Sequence, residues 1–379
     1  MELKKILLRS LCVFTAVFLI PLGIFYVGRN AQKISSFAEI SAALIMGKES
    51  NDNNKISSGN YSNFPRGTEL SASTCWDIDM AREETEPPAK TSEIPSPLPA
   101  EDVSDAIPYP TDLNDHDGII ENFTYSYYSG TQYFDLDNGG QVRNCTNIPN
   151  SDLYELSKDA LPFEIDKNSD EPQILIYHTH ATESFEPYAR DWYDKSFSCK
   201  TTERDKNIIS VGDKICEQLD AAGVPYIHDT LVHDYPSYDG SYQSSRLAVS
   251  EILKEYPSIK ICLDIHRDGI EREDGTRIAP VTNIDGREAA QIMIISCADD
   301  GSGNIPDCDK NFRFACALQS ALESDWNGLT RPVLFDTRFY NQDLTTGSLL
   351  IEVGSHGNSL DQSQYSGELI GKTLVEFLQ

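Results

Sequence analysis

The feature that most constrains this chain is a series of short apolar runs that alternate with segments of helical period in its C-terminal half. The runs are Gln173–Tyr177, Val224–His228, Ile259–Ile265, Ala290–Cys297, Val333–Phe335 and Ser348–Val353. Helical spacing of apolar residues fills Asn207–Ala222, Tyr242–Tyr256, Lys310–Ser324 and Gln362–Leu378. Strands that alternate with helices predict an α/β sandwich: a largely parallel mixed sheet flanked by helices, over residues 171–379. Several runs end in polar residues, and strand ends are where such folds place their chemistry.

Upstream, the alternating aromatic run Phe123–Tyr128 and a turn at Gly139-Gly140 predict a small β-rich subdomain over 118–170. Residues 47–117 are polar, acidic and rich in Ser, Asn and Pro, with no apolar period, and read as an extended linker. Ile34, Phe37, Ile40 and Leu44 stand at helical spacing, so the linker region 34–117 opens on a short juxtamembrane helix. Residues 1–33 carry Lys4, Lys5 and Arg9 ahead of an uncharged stretch from Ser10 to Gly28, long enough to span a bilayer. The expectation is a cytoplasmic stub, one transmembrane helix in the cell membrane and an extracytoplasmic body. A cleaved signal peptide is the rival reading; the stretch is long for one, and no clear A-x-A site follows it.

The net charge of −29 repels phosphate backbones and argues against nucleic acid as a partner. Nine cysteines occur without a CxxC pair, so a structural zinc ribbon is not expected, and pairing into disulfides is left open. Cys262 and Cys297 lie inside apolar runs and read as small core residues.

Three polar clusters stand at or beside strand ends: His178-Thr179-His180-Ala181-Thr182-Glu183, Asp264-Ile265-His266-Arg267-Asp268, and Glu352 within Leu349–Ser355. Hydrolysis assisted by zinc needs three ligands of the His/Asp/Glu type, an open position for water and a carboxylate to move protons. His178, Glu183, His266 and Glu352 supply that inventory. Glu352 is the most telling, because an unpaired charge on a strand apolar on both sides is costly. His228 and His233 read as surface pairs with Asp229 and Asp234, His356 as a residue within reach of substrate, and His116 as part of the linker. No G-x-S-x-G elbow, P-loop or dinucleotide fingerprint is present.

These blocks, with Asn207–Asp213, Arg338–Leu344, Val142–Thr146, Asn358 and Leu360, resemble the stage II sporulation protein P family of endospore-forming bacteria in order and spacing. The resemblance covers about Gly118 to Gln379 and implies a fold similar to zinc-dependent N-acetylmuramoyl-L-alanine amidases. It implies Zn2+ as cofactor and cleavage of the bond between muramic acid and L-alanine in peptidoglycan, with cuts at peptide cross-links in some members. By the same resemblance, His178 and His266 are metal ligands and Glu352 is the catalytic carboxylate. The third ligand is Glu183, with His180 and Glu203 as alternatives. Arg267 is expected to orient Asp264 or hold a substrate carboxylate, with a structural ion pair as the other reading; Asn341 and Gln342 are expected to bind substrate. Partners implied are the engulfment machinery, namely a lytic transglycosylase and a multispanning membrane protein. Two other readings stay open: a catalytically inactive wall-binding module, and a metallopeptidase acting only on cross-links.

Overall fold

The computed structural model describes residues 96–378. The expected membrane span, the juxtamembrane helix and the linker as far as residue 95 lie outside the described residues. Among the described residues, no helix is long and apolar enough to cross a membrane.

An eight-stranded sheet organises the chain. With strands numbered in chain order, it runs β3 (Tyr133–Asp135), β4 (Gln141–Asn144), β13 (Val333–Asp336), β12 (Ile292–Cys297), β14 (Gly347–Ser355), β9 (Ile261–Asp268), β5 (Ile174–Tyr177), β7 (Tyr226–His228). Only β3–β4 and β12–β14 pair antiparallel; the other neighbours are parallel, as the apolar runs predict. Successive side chains point to opposite faces. On one face Ile174, Ile176, Ile261, Leu263, Ile265, Leu349, Ile351 and Val353 meet three helices in the main core: α2 (Ile208–Ala222), α4 (Cys308–Asp325) and α5 (Leu360–Leu378). The opposite face carries Leu175, Tyr177 and Cys262 under α3 (Ser241–Glu255), and beside them Met293, Ile295, Cys297 and Leu350.

The helices start and stop where the sequence expects. Asn207 caps α2 by accepting the Ile209 N–H at 3.0 Å, and Gly223 ends it in the left-handed region at φ 69°.

The N-terminal division differs from the expectation. Residues 118–170 form no unit of their own: β4 pairs parallel with β13, and Val142 and Leu153 of the short helix α1 (Asn150–Leu156) lie in the main core. β2 (Gly118–Phe123) joins a second sheet of four strands, between β10 (Arg277–Ile284) and β6 (Trp192–Tyr193), with β11 (Arg287–Ala290) outside β10. The expected run Ala290–Cys297 therefore splits between two sheets. Gln291 stands at the break, and its buried side-chain amide bonds the backbone of Tyr125 in both directions, at 2.6 and 2.9 Å. The end of the expected linker is also part of the body. Ala100 and Val103 are buried against Ala181, Ile209 and Val232, and Ile107 exchanges hydrogen bonds with Thr202. A proline-rich segment lacks helical period, yet its carbonyls and remaining N–H groups still pair with a neighbouring loop. The seven described cysteines are free thiols, with Cys262 and Cys297 buried as expected.

Gly212, inside α2, lies close against His178 and His228. A Cβ there would lie 2.6 Å from His178 Nε2 and 2.7 Å from His228 Nε2. Replacing an interior helical glycine by alanine ordinarily stabilises by about 0.5–1 kcal/mol. Here Gly212→Ala should instead destabilise, by the ~1–3 kcal/mol typical of overpacking, and calorimetry should show a lowered Tm. A raised Tm would contradict this packing.

Candidate metal centre

β9 lies between β14 and β5 and pairs parallel with both, so the C-terminal ends of the three share one edge of the sheet. Asp264, His266 and Glu352 continue the face that carries Cys262 and Leu350, opposite the main core. Register places Glu352 beside His266. After Tyr177 the chain turns through Thr179–Thr182, and the turn swings His180 and Glu183 over the same edge.

There His180, Glu183 and His266 converge, all buried, with one potential ligand atom from each within 4.8 Å of the others. Glu183 Oε1 lies 3.7 Å from His180 Nδ1, and its Oε2 lies 3.6 Å from His266 Nδ1. Both rings turn Nδ1 toward Glu183, and each Nε2 faces an outer partner. His180 Nε2 lies 3.1 Å from Ser241 Oγ, and His266 Nε2 lies 2.9 Å from Asp264 Oδ1. Asp264 is itself fixed by the N–H and hydroxyl of Thr179, at 2.9 and 2.7 Å. Glu183 Oε2 accepts the backbone N–H of Arg267 at 3.0 Å.

The electrostatics match this geometry. Burial pushes the His266 pKa down, but Asp264, then Glu183 and Glu352, outweigh it and hold it well above the ordinary value. Burial would raise Asp264, yet His266 and Thr179 leave it below the usual carboxylate range. Two imidazoles and a carboxylate with outer partners on their far atoms form a donor set suited to zinc. The buried His266 Nδ1, which has no hydrogen-bond partner, is the atom that such an ion would satisfy. The residues fit the metal.

The structure does not bring every expected residue to this point. His178 lies on the opposite face: directly after β5, it continues the even-numbered series of Ile174 and Ile176 that faces the main core, and its Nδ1 meets the Ile265 carbonyl at 3.0 Å. Its Nε2 meets His228 Nε2 at 3.0 Å, while burial, then His228, pushes its pKa down to about 3. His180, the alternative, stands where His178 was expected. Glu203 accepts the Tyr109 N–H at 2.7 Å, outside the triad.

Arg267 does not orient Asp264; its guanidinium donates to the carbonyls of Ser184, Asp268 and Cys199. The arginine that pairs with this segment is Arg331, whose guanidinium meets buried Asp268 at 2.9 Å. Asn341 and Gln342 are buried, at 2% and 1% exposed, and their side chains are engaged by backbone groups. Asn341 donates to the Tyr242 carbonyl, and Gln342 bonds the backbone of Cys297 and Ile295. His233 is buried against Ser244 and Asp229, His228 bridges His178 and Asp213, and His116 stacks on Trp192. His356 sits near Arg267 and Arg277, where burial first and then their charges push its pKa well down.

Sequence reasoning missed the outer partners Asp264 and Ser241 and the aromatic wall. Tyr238 stacks on His180 at 4.5 Å between centroids, and Tyr242 lies parallel to His266 at 6.3 Å. The signal for Asp264 was present, because in any strand His266 and Asp264 share a face.

A family model described as stage II sporulation protein P matches residues 114–375. The chain belongs to that family. Stage II sporulation protein P of Bacillus subtilis (strain 168) is 27% identical over 257 residues, 59% of this chain and 61% of that protein, so the match leaves more than a third of the relative uncovered. Among solved structures, the N-acetylmuramoyl-L-alanine amidase AmiC2 of Nostoc punctiforme is 13% identical, with 56% of this chain and 99% of that one covered at a TM-score of 0.35. The CwlD amidase from Clostridioides difficile, solved in complex with the GerS lipoprotein, is 11% identical, with 54% and 98% covered at 0.33. These overlaps are loose, and the site of this sporulation protein P member rests on its own geometry.

Zinc retention tests that geometry. His180→Ala should abolish tight zinc binding, whereas His178→Gln, which keeps a donor for Ile265, should retain it. Asp264→Asn should weaken zinc affinity by the ~10–100-fold typical of an outer partner. Chelator competition on folded protein reads all three, and loss of zinc from His178→Gln with retention in His180→Ala would reverse the assignment.

Proposed function

We propose that this sporulation protein P member is a zinc-dependent peptidoglycan hydrolase that cleaves the amide between N-acetylmuramic acid and L-alanine of the stem peptide. The observation that carries the reading is the buried convergence of His180, Glu183 and His266 with Glu352 beside His266. His180, Glu183 and His266 would hold a zinc ion, which would supply Lewis acidity toward a carbonyl and a water molecule.

The chain's own residues do the rest. Asp264 and Ser241 hold the two imidazoles so that Nδ1 of each faces inward. Glu352, 3% exposed, is the proton carrier: it takes the proton of the attacking water and returns it to the leaving amine. Its strand is paired on both sides, with β9 and β12, which keeps the carboxylate in one place. Tyr238 and Tyr242 wall the site with rings that exclude water and offer flat surfaces to sugar or peptide.

The presence of every donor, and of Glu352, favours an enzyme over an inactive wall-binding module. A peptidase that cuts cross-links would use the same centre on a different bond. The extracytoplasmic location, the N-terminal anchor and partnership with an engulfment transglycosylase and a multispanning membrane protein belong to the same proposal.

Glu352→Gln should keep fold and zinc and lower turnover by ~10²–10⁴-fold. The assay is mass spectrometry of purified sacculi digested by wild type and variant, with zinc measured on the same samples. Release of intact stem peptides that begin at L-alanine is expected from wild type. Products cut only at cross-links would replace the amidase reading with the peptidase one, and a near-normal rate in Glu352→Gln would move the proton carrier elsewhere.

A further inference from the structure

Among the described residues, one cation at this site has no acidic partner. Among the arginines on the elements that form the site, Arg246 is paired with Asp343 and Arg267 is held by backbone carbonyls. Lys200 is different. Its backbone forms an antiparallel bridge with Glu183, flanked by the bonds Ser184 N–H to Cys199 O at 2.8 Å and Thr201 N–H to Thr182 O at 2.9 Å. Residues opposed in an antiparallel bridge project to the same side, so Lys200 leaves the backbone on the side that Glu183 takes toward the metal centre. Glu183 does not neutralise it: its ion-pair contacts are with His180 and His266. The ammonium lies instead over the ring of Tyr238, 4.5 Å from its centroid, and that ring stacks on His180. Lys200 is half-buried and Tyr238 is 39% exposed, so the pair faces solvent at the mouth of the centre.

A chain of net charge −29 repels an anionic ligand overall, and a cation that has no acidic partner among the described residues, beside the reacting centre, offers one a place to dock. We infer that Lys200, seated on Tyr238, is a specificity-determining subsite for a free carboxylate on the stem peptide close to the scissile amide. A lysine ammonium accepts such a group as a point charge, and the tyrosine ring holds the amine in place through its face. This inference rests on the amidase reading above and names the peptide chemistry which that site selects.

The test uses two synthetic muramyl peptides that differ only in a carboxylate or a carboxamide on the second stem residue. Wild type should cleave the carboxylate form with kcat/KM higher by about tenfold or more, chiefly through KM, as expected of a charge-assisted contact made in the ground state. Lys200→Gln should bring the two substrates level, and Lys200→Arg should restore the preference. Calorimetric titration of the matching free peptides should show the same loss of discrimination at equilibrium. An equal preference in wild type and Lys200→Gln would overturn the subsite and leave the amidase reading standing. Failure of wild type to cleave either substrate would overturn the amidase reading, and the subsite with it.

Discussion

The contact on which the rest depends is the one between Asp264 and His266 on β9. Asp264 is 0% exposed and His266 is 1% exposed, so neither charge is tolerable alone at that depth. Together they form a pair at 2.9 Å whose remaining oxygen capacity is taken by Thr179. The pair fixes the plane and the inward nitrogen of the His266 ring, and the bonds to Thr179 fix the start of the turn that carries His180 and Glu183. One buried contact thus ties the strand member of the His180, Glu183 and His266 cluster to its two loop members.

The loop from β5 to α2 would otherwise be a long excursion with little core of its own. It is held at the level of the backbone. Arg267 bonds carbonyls from both arms of the loop, at Ser184 and Cys199, while its own N–H fixes Glu183. The segment at 100–109 closes the outer side: Ala100 and Val103 bury Ala181, and the Tyr109 hydroxyl donates to the Phe185 carbonyl at 2.9 Å. What reads in sequence as a tether serves in part as a wall for the site. Arg267, Asn341 and Gln342 look like substrate-binding residues because they are polar and near the chemistry. Their side chains instead satisfy buried backbone groups, a common role for enclosed amides and guanidinium groups.

Much of the layered fold was legible. Apolar runs at β5, β9, β12, β13 and β14 are long enough, and free enough of polar breaks, to announce buried strands, and Asn207 and Gly223 bracket α2 by capping chemistry. The second sheet was not legible: β10 and β11 mix polar and apolar residues, and β2 pairs with β10 across more than 150 positions of chain, which no local pattern records. The centre was legible as an inventory and not as a geometry. Glu183, His266 and Glu352 are where the polar clusters placed them, but the choice between His178 and His180 turns on which face of β5 meets the core. A strand apolar on both faces hides its own parity. The register Tyr177 to Asp264 resolves it, because it puts the odd positions of β5, and not His178, on the face of His266.

One buried site, built from His180, Glu183 and His266 on the face of the sheet that carries Glu352, is proposed to hold the metal. The most direct measurement is diffraction from crystals of the zinc-loaded protein on both sides of the zinc absorption edge. A single strong anomalous peak per chain is expected, bonded to Nδ1 of His180, Nδ1 of His266 and the carboxylate of Glu183, with Glu352 alongside and outside the ligand set. A peak between His178 and His228, on the far face of the sheet, would contradict it.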